Sequence, residues 1–269
     1  MKRFGLQIYS VRDHMADEQG VKEAFAELAK MGYTYAHTAG TYDFIAPEKF
    51  YEYAKDAGIE ICGTHYDWNR IVNDVEGTVA YHKALGTSIV GIGGMPGPAR
   101  EDEEELDKFI ALFNETAKKY APYGMKLSYH HHSFEFKKLS DGRTTLFDKL
   151  VEGFTEPNTS FVLDTYWLQH GGKDVRATIE QLAGRVDILH LKDMEAMRRY
   201  TVAGTDAVYF APGITEVGSG NINFKDIIPL AEKCGAKYFV VEDDRAPEVG
   251  SYDAVKRSAD YIKANLLEA

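Results

Sequence analysis

The chain has 269 residues, 44% hydrophobic and 27% charged, and its 31 Lys and Arg against 42 Asp and Glu leave a formal net charge of -11. That balance argues against nucleic acid and anionic membrane surfaces as partners, since both are met by clustered basic residues. No apolar run approaches the roughly 18 to 20 residues of a membrane span, and Met1-Lys2-Arg3 leads at once into Phe4-Gly5-Leu6-Gln7-Ile8-Tyr9, too short and too polar for a signal peptide, so a cytoplasmic protein is expected.

In chain order, short β-rich runs alternate with longer stretches whose apolar residues recur at helical spacing. The predicted strands are Phe4 to Tyr9, Tyr33 to Ala39, Ile59 to His65, Ser88 to Gly93, Met125 to His131, Thr159 to Asp164, Val186 to Leu191 and Lys237 to Glu242. Between the fourth and fifth, Leu106, Phe109, Ile110, Phe113, Ala117 and Tyr120 share one helical face. That segment opens on Glu101-Asp102-Glu103-Glu104-Glu105 and closes on Lys118-Lys119, the charge order a helix dipole favours. Gly32, Gly58, Gly86, Gly124 and Gly235 sit where C-terminal helix caps belong. Cys62 and Cys234 have no metal-type spacing and read as small buried apolar residues.

Eight βα units imply parallel strands joined by right-handed crossovers, and closure into a (β/α)8 TIM barrel forming a single domain over 1–269. The alternative is an open doubly wound sheet, but no Gly-x-Gly-x-x-Gly follows the first strand. About Met194 to Asn221, after the seventh strand, the sequence reads as a long irregular loop of the kind that forms lids or binding segments.

In such a barrel the chemistry belongs at the C-terminal ends of the strands. Four consecutive strands end in polar groups there: Ser128-Tyr129-His130-His131-His132, Val162-Leu163-Asp164, Leu189-His190-Leu191-Lys192-Asp193 and Val241-Glu242-Asp243-Asp244. Singly, each reads as a solvated strand-end residue; jointly, Asp164, His190 and Glu242 make a ligand set that suits one Mn2+, Co2+, Mg2+ or Zn2+ ion. Side-chain alternation puts His130 and His132 on one face and turns His131 toward the helix layer, where a backbone-satisfied core histidine is expected.

These residues resemble the xylose isomerase-like sugar isomerase/epimerase superfamily of metal-dependent (β/α)8 barrels. The resemblance covers nearly the whole chain and is carried by Gly5-Leu6-Gln7-Ile8-Tyr9-Ser10-Val11-Arg12-Asp13, Tyr129-His130-His131-His132-Ser133-Phe134-Glu135-Phe136, Leu163-Asp164-Thr165-Tyr166-Trp167, His190-Leu191-Lys192-Asp193-Met194, Val217-Gly218-Ser219-Gly220 and Val241-Glu242-Asp243-Asp244. It implies one divalent ion held by Glu, Asp, His and Glu from the last four strands, and three of those positions match Asp164, His190 and Glu242. The fourth departs: the fifth strand carries His130, with Glu135 five residues on, so either His130 coordinates in place of the glutamate or the loop folds back to present Glu135. A subset resembling inosose dehydratase shares a histidine-rich fifth strand.

What the resemblance implies for activity is an isomerase or epimerase acting on a small sugar or keto sugar, through proton abstraction next to a carbonyl and a metal-stabilised enediolate. The epimerases pass a proton between two metal-bound glutamates, of which only Glu242 is matched here. His132 is therefore the candidate acid or base, and the same pairing suits the alternative, a lyase or dehydratase acting on a keto sugar or 3-keto glycoside. A non-catalytic sugar-binding barrel and a metal nuclease are the other members to exclude. Gln7, Tyr9, His65 and Trp167 are the candidate substrate contacts, the aromatics being equally consistent with core packing. Lys192 shares the face of His190 and is assigned to substrate oxygens or charge stabilisation, the other reading being a snorkelling surface lysine. Arg198-Arg199 is the one feature suited to phosphate, and in this acidic chain without a glycine-rich phosphate loop a non-phosphorylated sugar is expected. A homo-oligomer is expected by analogy alone.

Overall fold

The amphipathic stretch Leu106 to Tyr120 becomes a helix over Glu103–Tyr120, started by the Asp102 carboxylate, which accepts from the Glu105 N–H at 2.9 Å, and anchored by buried Leu106, Phe109, Ile110 and Phe113. The same logic repeats along the chain in this computed structural model, which describes residues 1–268. The strands are β1 (Gly5–Gln7), β2 (Tyr35–Ala39), β3 (Glu60–His65), β4 (Ile89–Ile92), β5 (Lys126–His130), β6 (Thr159–Asp164), β7 (Val186–Leu191), then β8 (Asp193–Thr201), β9 (Val208–Thr215) and β10 (Tyr238–Val241). All but β8 and β9 pair in parallel into a closed barrel in the order β1-β10-β7-β6-β5-β4-β3-β2, so the expected TIM barrel is the fold. The five expected cap glycines all adopt positive φ, Gly32 at 97° and Gly235 at 101° among them. Both cysteines are free thiols. Among the described residues, no helix is long and apolar enough to cross a membrane.

Two expectations need correction. The first strand is shorter than Phe4 to Tyr9, because the Gln7 side chain accepts from the Tyr9 N–H and opens a 3-10 segment over Ile8–His14. The long irregular loop is largely an antiparallel hairpin, β8 with β9, paired from Asp193 with Thr215 to Thr201 with Val208. Its two-residue alternation was masked because the ribbon stands away from the core: Met197, Val208, Tyr209 and Phe210 are all exposed, so no buried face imposes an apolar period.

The barrel interior is layered. Tyr35, Cys62, Ile89, Val162, Ile188 and Val240 form a small apolar plug separate from the larger core between strands and helices. Residues two further along three of those strands are Asp164, His190 and Glu242, so the strand period that fills the plug also lifts the polar groups to the mouth above it. Gly63 is needed in this packing: a Cβ there would lie 2.9 Å from Ile188 Cδ1 and 3.3 Å from the His37 ring.

Asp193 has a structural task. Its carboxylate accepts from the backbone N–H groups of Met194, Gly218, Gly220 and Ile222 at 2.8 to 3.1 Å, clamping the segment that follows β9 to the start of β8. Asp193→Ala strands these buried donors and should lower unfolding free energy by about 2–4 kcal/mol, read as a drop in thermal midpoint; an unchanged midpoint would show that the clamp contributes nothing.

Candidate active site

The groups lifted above the plug converge. His130, Asp164, His190 and Glu242 each offer one ligand atom, all lying within 4.8 Å of one another, and all four residues are buried. His130 Nε2 lies 3.6 Å from Asp164 Oδ2 and 3.9 Å from Glu242 Oε2, while His190 Nδ1 lies 3.8 Å from Asp164 Oδ2 and 2.9 Å from Glu242 Oε2. Local structure divides the labour of Asp164. Its Oδ1 caps the helix Thr165–His170 by accepting from the Trp167 N–H at 3.0 Å, and its Oδ2 is left buried with no hydrogen-bond partner, facing the imidazoles and the Lys192 ammonium.

His131 points away from this cluster, as expected. Its Nε2 accepts from the Asp164 N–H at 3.0 Å and its Nδ1 faces the His132 carbonyl at 3.2 Å, so it ties the end of β5 to the end of β6. Glu135 is occupied elsewhere: one oxygen accepts from Tyr129 Oη at 2.7 Å and the other from the His132 N–H at 2.8 Å. Of the two fifth-strand alternatives, the geometry gathers His130 with the other three donors and uses Glu135 to brace the loop that carries His132.

That brace titrates. Burial pushes the Glu135 carboxyl up to about 7, against the hydrogen bonds from Tyr129 and His132 that favour its ionised form. A carboxyl raised in the folded state keeps a proton that the unfolded chain has already lost, so its stabilising share is complete below about pH 4.5 and disappears as pH rises to about 7. Relative to Glu135→Gln, wild-type stability should therefore fall by on the order of 3 kcal/mol across that window. Parallel thermal melts from pH 4 to 8 check this, and curves of the two proteins that run parallel would contradict it.

Lys192 is not a surface lysine. Its ammonium is buried 3.0 Å from Glu242 Oε2, 3.5 Å from Asp164 Oδ2 and 2.8 Å from Asp244 Oδ2. Burial alone would lower it, but the three carboxylates outweigh burial and hold it well above the usual lysine range. Burial likewise works to raise Glu242, yet Lys192 and then His190 hold it well below the usual carboxylate range. For Asp164 burial wins and the carboxyl is raised, Lys192 opposing.

The donor set fits a divalent cation. Three carboxylates, Asp164, Glu242 and Asp244, lie within 3.5 Å of the one Lys192 ammonium, and the Asp164 carboxyl that burial raises is the one a bound cation would hold in its ionised, ligating form. His130 has both ring nitrogens buried without partners, and burial followed by the neighbouring imidazoles His132, His65 and His190 keeps it neutral, the form that coordinates.

A cavity of about 520 Å³ opens above the cluster, lined in part by Tyr9, Arg12, His65, His132, Lys192 and Asp244. Tyr9 and His65 therefore stand where the sequence placed them, at the wall. Gln7 does not: it is fully buried beneath, its amide nitrogen 3.1 Å from His37 Nδ1 and 3.5 Å from His65 Nδ1. Trp167 also stands off the wall, with Lys192 Nζ 5.0 Å from its ring centroid and the His132 ring 5.3 Å away. Sequence reasoning passed over His37, Asp244 and Arg12. Asp244 shares strand parity with Glu242, a signal that was available; His37, the register partner of Gln7 on β2, and Arg12, whose guanidinium lies over the Tyr9 ring at 4.0 Å, had none.

A closed parallel barrel whose C-terminal mouth gathers imidazoles and carboxylates that could hold a metal ion defines the class of fold. Residues 25–265 match the family described as Xylose isomerase-like TIM barrel, and the chain belongs to that family. It is similar to an inosose dehydratase of Mesomycoplasma hyopneumoniae (strain J), 24% identical over 272 residues that cover 90% of this chain and 87% of the relative. The crystal structure of a sugar phosphate isomerase/epimerase from Parabacteroides distasonis superposes with a TM-score of 0.76 at 25% identity, over 98% of this chain and 94% of that one. The probable 3-DHS dehydratase AsbF from Bacillus anthracis shares the fold, with a TM-score of 0.71 at 16% identity over 97% of this chain and 98% of that one.

Proposed function

We propose that this protein is a divalent-metal-dependent dehydratase of a small keto sugar: it removes the proton next to the carbonyl and expels a hydroxyl from the following carbon as water. The observation that carries the reading is the asymmetry of the mouth. Glu242 faces the imidazoles of His130 and His132 where two-glutamate epimerisation needs a second carboxylate. A carboxylate and an imidazole are unequal proton carriers, which does not suit the even exchange of a two-glutamate epimerase and suits an elimination in which one imidazole takes the proton from carbon and returns it to the leaving oxygen. The likeness to an inosose dehydratase along 90% of the chain supports the same choice.

His130, Asp164, His190 and Glu242 would hold the ion, which supplies a Lewis acid for the negative charge that develops on the substrate's carbonyl oxygen. The remaining work falls to side chains. His132 is neutral, burial and then Lys192 pushing it down to about 4, so it starts as a base. It takes the proton from carbon, the electron pair closes the new double bond, and the bond to the leaving oxygen breaks. The imidazolium then returns that proton to the departing oxygen, giving water and an unsaturated ketone. The Lys192 ammonium, buried beside Glu242, offsets the negative charge gathered at the mouth. His65, neutral and with its buried Nε2 unpartnered, offers a hydrogen bond to a substrate oxygen.

The second reading, an isomerase or epimerase, is favoured by the full-length likeness to the Parabacteroides protein. Incubation with inosose, ketohexoses and 3-keto glycosides under Mn2+, Co2+, Mg2+ or Zn2+ separates the two by mass spectrometry. Loss of one water from a ketone substrate supports the dehydratase; a product of unchanged mass with solvent deuterium at one carbon assigns the isomerase instead.

A further inference from the structure

Beneath the mouth runs a chain of hydrogen bonds whose direction is fixed at one end. Gln7 Oε1 accepts from the backbone N–H of Tyr9 at 3.3 Å. A backbone N–H only donates, so the amide is oriented and its nitrogen is the end that meets His37 Nδ1 at 3.1 Å. An amide nitrogen only donates, so His37 Nδ1 must carry its lone pair there and its proton must sit on Nε2. The same His37 Nδ1 lies 2.9 Å from His190 Nε2. Facing an acceptor, His190 places its proton on Nε2; its Nδ1, in hydrogen-bond contact with Glu242 Oε2 at 2.9 Å and 3.8 Å from Asp164 Oδ2, then presents a lone pair to carboxylates, an opposition that a cation seated between them resolves.

We infer that His37 is a positioning residue that, held by Gln7, fixes the His190 tautomer able to ligate a cation through Nδ1. The inference rests on the metal reading given under the proposed function. It explains two features the mechanism leaves idle: a buried glutamine and a buried histidine, both 0% exposed, beside the apolar plug of the barrel. The pairing of β2 with β3 also shifts register between Ala36 and His37, a local irregularity of the strand at the residue in question. A ligating imidazole oriented through its second nitrogen is a general device of metal sites, and loss of such a partner costs about 10- to 100-fold in affinity.

The test uses the whole protein. In Zn2+-loaded wild type, long-range 1H–15N spectra should show His37 protonated on Nε2, and Gln7→Glu, which turns the donor into an acceptor, should move that proton to Nδ1. His37→Leu should weaken Co2+ binding about 10- to 100-fold by calorimetry, and His37→Gln, which restores an acceptor oxygen, should recover most of it. A His37 proton on Nδ1 in the loaded wild type overturns the inference, as does Co2+ binding by His37→Leu equal to wild type. Should His37→Leu fail to fold, the wild-type and Gln7→Glu spectra decide alone. Wild type that takes up no ion overturns the metal reading and this inference together; wild type that binds while the variants match it overturns only this inference.

Discussion

Glu242→Gln should abolish divalent-ion binding and cut turnover by at least ~10²–10³-fold, the scale seen when a preorganised charge is removed from a reacting centre. The substitution keeps the size of the side chain and deletes one of the three carboxylates around Lys192. The ammonium still has Asp244 at 2.8 Å and Asp164 at 3.5 Å, so the barrel should stay folded with a thermal midpoint close to wild type. The cation loses more: a donor at 2.9 Å from His190 Nδ1 and the carboxylate of the cluster that Lys192 and His190 hold ionised. Elemental analysis after dialysis, steady-state rates and a melt form the set of measurements. A variant that keeps both ion and turnover would move the chemistry away from this cluster.

How much of this was written in the chain can be read residue by residue. Asp164, His190 and Glu242 were legible because each follows an apolar strand by the two-residue step that carries a side chain from plug to mouth, and a closed barrel brings such steps together. His130 against Glu135 was not decided by pattern. The choice depends on whether the loop after β5 turns inward, and the 3-10 turn at Phe134–Phe136 instead spends both Glu135 oxygens on Tyr129 and His132. Gln7 is expected as a substrate contact, but β1 is only three residues long and Gln7 is fully buried, its amide nitrogen against His37 and His65. His37 was invisible for another reason. Its partner His190 is 153 residues away, on a strand that does not neighbour β2, and a hydrogen bond between such strands leaves no local trace. The hairpin of β8 and β9 escaped because an exposed ribbon has no dry side to impose a period.

His132→Asn should lower kcat by ~10²–10⁴-fold, the range for loss of a general acid or base, while leaving the ion in place. The two halves of that expectation separate His132 from the cluster. His132 is absent from the four converging donors, lines the cavity beside them, and has its ring stacked against Phe134 at 5.5 Å. Its backbone N–H is held by Glu135, so asparagine at this position leaves the brace intact and removes only the ring that carries the proton. If His132 is the base, exchange of the substrate's α-hydrogen with deuterated solvent stops along with product formation, because the first transfer is lost. If exchange continues at the wild-type rate while elimination stops, another group takes the proton and His132 serves only the departing oxygen. The companion variant His65→Asn should raise KM more than it lowers kcat, since a neutral donor to a substrate oxygen holds ground state and transition state alike. Equal loss of kcat in both variants, with ion content unchanged, would mean that the two imidazoles act as one proton-carrying unit and that the division of labour drawn above is wrong.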